Sequence, residues 1–501
     1  MLQNFVMGFQ IISSWNTLFL IVGGVFLGLI FGAIPGLTST LAIALLLPLT
    51  YGMDPSAGMA LLSSIFIGGV SGGLVPAILL NMPGTPASIA TTYDGHPMAL
   101  KGAPGRALSY GILASLFGGM FSLVALVTIA PLLAKVALGF QSFEYFATAI
   151  FGLTVVVGLS DKSVLKTLIS AALGVLLATV GMDPLSSVPR FTMGLERFQS
   201  GFALVPSLLG LFVISEIFSQ MTDVGKQYAF ESKKIDSMRL GLKDFSGHWG
   251  NLLRSSVIGV IVGILPGIGG TVANLFAYDQ AKKFSKHPEK FGTGIPDGII
   301  APEAANNAVT GSAFIPTLTL GIPGDSVTAV LMGGLILHGI TPGPLLFREH
   351  LPLVYSLFVA LFIANIVMVI LNYGVIVRFF TWALRVPKKV LLPAILVMCI
   401  AGTYTLRYNL FDVWTLAIFG TMGYTLSRFG YSLTAMVLGL ILGPMVELQM
   451  RSALMATGGG WAPFFTRPYC IVVWILTVLS FIMSVYFRRR ANRKGAAEEA
   501  A

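Results

Sequence analysis

The chain has 501 residues, of which 55% are hydrophobic and only 10% charged, and its mean hydropathy is +0.84. A water-facing surface needs roughly a quarter of its residues charged, so this composition excludes a soluble globular protein and describes a polytopic membrane protein. The net charge of +10 does not indicate a nucleic-acid face, because the cations cluster at the ends of apolar stretches.

In chain order, stretches near the roughly 20 residues needed to cross a bilayer run over 16–34, 56–80, 107–133, 143–159, 163–181 and 202–221 in the first half. Two carry unusual punctuation: GLIFGAIPG from Gly28 to Gly36, and PAILLNMPGTPAS from Pro76 to Ser88. A polar loop over 222–250 follows, with Lys226, Lys233, Lys234, Arg239 and Lys243 among balancing acids. Its Tyr228, Phe230, Phe245 and Trp249 suit either a surface-lying amphipathic linker or a plain connector.

The second half offers 251–265, 297–321, 326–345, 351–379, 389–408, 410–427 and 430–446, and the same punctuation returns. GVIVGILPG runs from Gly259 to Gly267 and PTLTLGIPGDSVT from Pro316 to Thr328, so that Pro35-Gly36 corresponds to Pro266-Gly267, and Pro76 and Pro83-Gly84 to Pro316 and Pro323-Gly324. The second offset is longer, which places an insertion in the charged stretch around Ser285–Gly294. A last span, 468–487, has no counterpart, and Arg488, Arg489, Arg490, Arg493 and Lys494 follow it.

The predicted organisation is therefore a first transmembrane repeat at 1–221, a cytoplasmic linker loop at 222–250, a second repeat at 251–446, a closing transmembrane segment within 447–487, and a basic cytoplasmic tail at 488–501. The fold class is an all-α polytopic membrane protein with about 12 full crossings plus re-entrant hairpins or half-helices. Basic residues beside spans mark cytoplasmic loops, which puts the central loop and the C-terminus inside. The first Lys or Arg is Lys101, so nothing holds the N-terminus inside. An odd number of crossings then precedes the loop, and the two repeats are inverted. The N-terminus lacks a basic n-region and does not read as a secretory signal peptide.

The chemistry is expected at the breaks, where discontinuous helices of repeat-built transporters hold their ligands. After Pro35-Gly36 come Thr38, Ser39 and Thr40; after Pro83-Gly84 come Thr85, Pro86 and Ser88. After Pro266-Gly267 come Gly269, Gly270, Thr271 and Asn274; after Pro323-Gly324 come Asp325, Ser326 and Thr328. Each is a helix start, a breaker followed by small capping residues. Irregular backbone at membrane depth is tolerated only around a buried or water-lined cavity, and helix N-termini attract anions. No Lys or Arg interrupts these motifs, so backbone N–H groups, hydroxyls and amides would have to hold an anionic substrate.

The candidate substrate-binding residues are thus Pro35, Gly36, Ser39, Thr40, Asn81, Pro83, Gly84, Thr85, Ser88, Gly267, Gly269, Gly270, Thr271, Pro323, Gly324, Asp325 and Ser326. Asn306, Asn307 and Asp325 are a candidate sodium site, because intramembrane amides and carboxylates usually mark ion or substrate paths. Plainer readings stand beside these: Asp325 as an N-cap, Asn81 as an amide satisfying broken backbone, and Glu303 at an interface facing water. His96 and His338 read as structural, and Cys399 and Cys470 as packing residues. No G-x-x-x-x-G-K-[ST] loop is present, so ATP is not the direct energy source, and Gly267–Thr271 lacks the spacing of a dinucleotide loop. An intramembrane enzyme would need a nucleophile–base or clustered acid pair, and none is patterned here. A channel, or a carrier without a binding protein, is the remaining alternative.

At NMPGTPAS (from Asn81), YDGHPMALKG (from Tyr93), ILPGIGG, PEAANNA and GIPGDSVTAVLMGGLILHGITPGPLLF, the chain closely resembles the large membrane subunit of the tripartite tricarboxylate transporter family (TctA-type), over nearly its whole length. The resemblance implies a non-enzymatic permease of the bacterial inner membrane. It would work with a small four-span membrane subunit and a periplasmic solute-binding protein that delivers a carboxylate. Uptake would be driven by sodium or protons, with no cofactor beyond a coupling sodium ion, through an elevator-like movement of one bundle against another.

Overall fold

The computed structural model describes residues 2–159, 163–221, 238, 240, 242–376 and 388–482; most of the expected linker and all of the basic tail lie outside these. What it describes is helical apart from one two-stranded hairpin. The first half runs α1 (Leu2–Ile12), α2 (Trp15–Ala33), α3 (Ser39–Leu46), α4 (Pro55–Gly72), α5 (Leu74–Leu80), α6 (Ile89–Leu100), α7 (Pro104–Ala137), α8 (Ser142–Leu159), α9 (Val164–Ala178) and α10 (Leu204–Met221). Between α9 and α10, strands β1 (Gly181–Met182) and β2 (Pro189–Arg190) pair antiparallel. The second half runs α11 (Trp249–Ile264), α12 (Gly269–Phe284), α13 (Asp297–Ser312), α14 (Phe314–Leu320), α15 (Ser326–Leu337), α16 (Leu351–Leu371), α17 (Lys388–Arg407), α18 (Leu410–Arg428), α19 (Leu433–Ala456) and α20 (Pro468–Ile482).

Seven described helices are long and apolar enough to cross a bilayer: α2, the α4–α5 unit, α7, α10, α16, α17 and α19. Seven shorter apolar helices of 10–17 residues accompany them. The expected span 297–321 is divided between α13 and α14. Pro302 and Pro316 withhold N–H groups from that segment, and glutamate and two asparagines lower its hydropathy.

The four-element order α2–α3–α4–α5 recurs as α11–α12–α13–α14, and small residues explain how each set packs. In α2, a Cβ on Gly28 would strike the Ile65 carbonyl, and one on Gly32 the Gly69 carbonyl. In α11, Gly259 meets the Ala305 carbonyl and Gly263 the Ser312 hydroxyl in the same way. Membrane helices gain nothing from hydrophobic exclusion between lipid-like surfaces, so close backbone approach supplies the packing. The halves interlock: α7 lies along α13, α16 along α4, α9 along α19, and α18 along α10. The α4–α5 unit is buried on every side, in the middle of the largest apolar core.

Ion pairs mark the periphery. Arg467 donates to the fully buried Glu144 at 2.5 Å, and the Arg407 guanidinium grips Asp412 through two hydrogen bonds of 2.8 and 2.5 Å. At the hairpin, Arg190 bonds Glu447, while Arg451 bonds both Asp183 (2.6 Å) and Glu447 (3.0 Å). The Ser186 backbone N–H first, then Arg451, hold the Asp183 carboxyl well below the usual carboxylate range. A depressed pKa contributes stability above the ordinary value and loses it only as pH falls through the depressed one. Hairpin protection against proteolysis is therefore expected to persist at pH 5 and to fail in Asp183→Ala.

Candidate functional site

Four interruptions build the site, and each follows from proline and glycine chemistry. After α2, Pro35 and Gly36 take the middle of a turn closed by Leu37 N–H to the Ile34 carbonyl at 3.0 Å, with Gly36 at φ 89°. That geometry asks for Pro then Gly. Thr38 then caps α3, its hydroxyl accepting from Leu41 N–H at 3.2 Å. After α11 the chain turns through Gly267 and Gly269, at φ 77° and 70°, into α12.

The other two interruptions are near copies of each other. Helix α5 ends at Asn81 (φ 57°) and α14 at Gly321 (φ 69°), both left-handed caps whose N–H groups return to the Pro76 and Pro316 carbonyls. Pro83-Gly84 and Pro323-Gly324 follow, then Thr85 and Asp325 in extended conformation, each starting the next helical turn. Asp325 forms a reciprocal capping box with Thr328: Thr328 N–H donates to Asp325 Oδ1 at 2.8 Å, and Asp325 N–H donates to Thr328 Oγ1 at 2.9 Å. The N-cap reading of Asp325 is therefore seen directly.

The four breaks meet, and they do so across the halves. Thr40 Oγ1 lies 3.2 Å from Ser326 Oγ, joining the first break of one half to the second break of the other. The complementary pair meets where Ala87 faces Gly270 and the Ala87 carbonyl accepts from Asn306 Nδ2 at 2.7 Å. Ala90 N–H donates to Asn274 Oδ1 at 2.8 Å across the halves, and within the second half Gly267 N–H donates to the Gly324 carbonyl at 2.6 Å, tying its two breaks together. Between them lies a cavity of about 250 Å³. Its wall holds three consecutive residues of α3's start (Thr38, Ser39, Thr40), Thr85 to Ala87, Gly267 to Thr271, Asn306, and Asp325 to Val327. Among the described residues, Asp325 is the one ionisable side chain on that wall.

The sequence matches the profile of the tripartite tricarboxylate transporter TctA family over residues 18–438. The chain belongs to the TctA family. The chain is similar to an uncharacterized 52.8 kDa protein from the TAR-I ttuC' 3' region of Agrobacterium vitis, 38% identical over 469 residues and 93% of each chain. An uncharacterized protein from the TAR-II ttuC' 3' region of the same organism is 36% identical over 235 residues, which is 47% of this chain and 97% of its own. No solved structure matches. The protein is thus a membrane component of a transporter family.

Of the residues expected at the site from the helix breaks, Ser39, Thr40, Thr85, Gly267, Gly269, Gly270, Thr271, Asn306, Asp325 and Ser326 line the cavity. Pro35, Gly36, Pro83, Gly84, Pro323 and Gly324 shape the turns behind it without facing it. Asn81 does not reach it: its side chain is exposed, and it serves as the left-handed cap that Gly321 provides in the other half. Asparagine tolerates that conformation better than most residues. Ser88 sits behind the wall. Asn307 turns away, donating to Ser115 Oγ at 2.9 Å and to Asn306 Oδ1 at 2.6 Å, so of the proposed sodium ligands only Asn306 and Asp325 share the cavity. His96 bonds the Ile78 carbonyl at 3.0 Å, and His338 ends α15.

Glu303 faces no water. It is fully buried, accepting from Thr91 Oγ1 at 2.5 Å, Ser115 Oγ at 3.2 Å and, more distantly, the Asn306 and Asn307 amides at 3.5 Å. Asn306 thus touches both this carboxyl and the cavity. Sequence reasoning missed the walls Phe66, Val70, Ala87, Ile268, Val309, Val327 and Thr434. One was available: Phe66 occupies in α4 the place that Asn306 has in α13, by the offset aligning Pro76 with Pro316.

Proposed function

We propose that this chain is the large permease subunit of a tripartite, binding-protein-dependent secondary transporter that imports a carboxylate. The observation carrying the reading is the convergence of four helix-starting breaks on one cavity. Backbone N–H groups at helix starts favour anions, and the hydroxyls of Ser39, Thr40, Thr271 and Ser326 supply directional donors. The wall contains no Lys, Arg or His among its described residues, which suits a carboxylate that must leave again after delivery. Tricarboxylates, dicarboxylates and aromatic acids all fit this chemistry. A sodium or proton gradient drives uptake, and a small four-span membrane subunit and a periplasmic solute-binding protein complete the system in the bacterial inner membrane.

The recurring α2–α5 and α11–α14 sets support two repeats, 1–221 and 251–446, of inverted topology about a cytoplasmic loop 222–250, with a closing segment in 447–487 and a cytoplasmic tail 488–501. Seven long and seven shorter apolar helices leave room for about 12 full crossings, the remainder being re-entrant. An elevator-like displacement would carry the breaks between the two membrane faces.

Reconstitution of the complex in proteoliposomes, with labelled carboxylate and its binding protein, tests the reading: concentrative uptake that depends on the binding protein is expected. Ion conductance without solute coupling would favour a channel instead. Gly270→Leu provides a second check. A Cβ there already lies 3.2 Å from Ala87 Cβ, and a longer side chain enters the cavity, so uptake should fall about a hundredfold with the protein still folded.

A further inference from the structure

Building on the permease reading, we infer that Asp94 is a positioning residue that fastens one arm of the cavity, so that the opposite arm alone is the gate for the carboxylate. The arms are the helices that follow the second break of each half. In the first half α6 stands behind Thr85 to Ala87, and in the second α15 carries Ser326 and Val327 on the cavity wall. Asp94 lies in α6 and is fully buried, yet the hydrogen bonds its carboxylate accepts among the described residues all come from the second half. Gly294 N–H donates to Oδ1 at 2.7 Å, Ile295 N–H at 2.9 Å and Gly292 N–H at 3.0 Å, while Tyr278 O–H donates to Oδ2 at 2.8 Å.

Successive backbone N–H groups in a turn make a concave seat for an anion. Gly292 and Gly294 shape this one, at φ 89° and 98°. A Cβ on Gly298 would strike Asp94 Oδ2, so a bare position there leaves room for the carboxylate. Gly292 and Gly294 belong to the stretch inserted in the second half, which the first half lacks. By the offset that aligns Pro76 with Pro316, the residue of α15 matching Asp94 is Gly334, which has no side chain to be held. The clasp therefore exists on one arm and has no counterpart on the other.

The rest of each arm repeats the contrast. The first-half arm is also bonded to the second half at Ala87, Ala90, Thr91 and Lys101, whose Nζ donates to the Thr293 carbonyl at 2.7 Å. Among the described residues, α15 is hydrogen-bonded to the first half only where Ser326 meets Thr40. Asp325 and Thr328 satisfy each other, and His338 Nε2, beside Gly58, has no hydrogen-bond partner among the described residues. The other contacts of α15 are apolar: Gly333 meets Leu208, Gly334 meets Leu62, and Ala329 packs with Met436. Apolar contact is non-directional and tolerates displacement, whereas charge-assisted bonds to fixed N–H groups do not. Gly321 and Gly339, at φ 69° and 73°, flank the free arm and can absorb the backbone change of a hinge. Opening α15 parts Ser326 from Thr40 and carries Asp325 away from the wall that α6 keeps in place.

Hydrogen exchange of the purified full-length protein in detergent, read by mass spectrometry, tests the clasp. In the wild type, amides of residues 326–337 are expected to be about tenfold less protected than those of 89–100. Asp94→Ala should lower protection of 89–100 to the level of 326–337 and leave the latter unchanged. Asp94→Asn, which keeps an acceptor at Oδ1, should restore most of it. Equal or reversed protection in the wild type overturns the inference whether or not the variants fold, and so does α6 protection that Asp94→Ala leaves intact. Cross-linking in the reconstituted complex tests the gate, on a background with Cys399 and Cys470 replaced by alanine. One cysteine pair is Lys101→Cys with Thr293→Cys, the other Gly58→Cys with His338→Cys, each joined by a short bifunctional thiol reagent. The first link should leave uptake within about twofold of the reduced protein, and the second should cut it about tenfold until reduction releases the arm. Uptake lost with the first link, or kept with the second, overturns the gate. Exchange as expected in a protein whose reconstituted complex takes up no carboxylate would keep the clasp and sink the permease reading.

Discussion

Gly28→Leu is expected to remove most folded protein from the membrane, while Gly23→Leu, five residues earlier on the same helix, leaves yield and melting temperature unchanged. The contrast follows from what each new side chain meets. At Gly28 a Cβ strikes the Ile65 carbonyl and comes within 2.8 Å of Gly69 N, both backbone atoms of α4. At Gly23 it meets nothing within 4 Å. Backbone cannot swing aside like a flexible side chain, and α4 is encased on all sides, so the two helices must separate. Overpacking of this kind costs about 1–3 kcal/mol or more, and here the separation would also part Gly32 from Gly69 and spread the first break. Equal melting temperatures for the two variants would refute the close α2–α4 crossing.

Glu303 carries the second large effect. Glu303→Leu should destabilise strongly, because it leaves the Thr91 and Ser115 hydroxyls facing an apolar side chain in a fully buried place. At about 1–3 kcal/mol for each of the two stranded hydroxyls, a loss of roughly 2–6 kcal/mol is expected, read as a lower melting temperature in detergent. Glu303→Gln keeps an acceptor oxygen and nearly the same shape, so the fold should survive. Uptake by Glu303→Gln should nevertheless fall about tenfold, because an intramembrane carboxylate is retained at a cost that only a functional charge justifies, and Asn306 links this one to the cavity. Full uptake by the folded Gln variant would reduce Glu303 to a packing and hydrogen-bonding residue.

Much of this architecture was legible in one dimension, for a local reason. Proline withholds an N–H wherever it stands, and glycine opens positive φ wherever it stands, so Pro35-Gly36, Pro83-Gly84, Pro266-Gly267 and Pro323-Gly324 announce breaks with no neighbours needed. The hydroxyls after them announce helix starts by the same local logic. Asn81 was misplaced because an asparagine before Pro-Gly reads equally as a ligand or as a left-handed cap; its alignment with Gly321 was the clue that it is a cap.

Membership of the bilayer, the duplicated order of elements and the four helix starts were determined by the sequence alone, since composition and backbone restrictions act within a few residues. The tertiary structure decided which side chains reach the cavity. It seats Phe66, Val70 and Thr434 on the wall, turns Asn307 toward Ser115, buries Glu303, and brings Thr40 against Ser326 from opposite halves. In a membrane both the lipid-facing and the core-facing sides of a helix are apolar, so no hydrophobic period distinguishes them. Only the crossing of two interlocked halves selects the face that becomes a site.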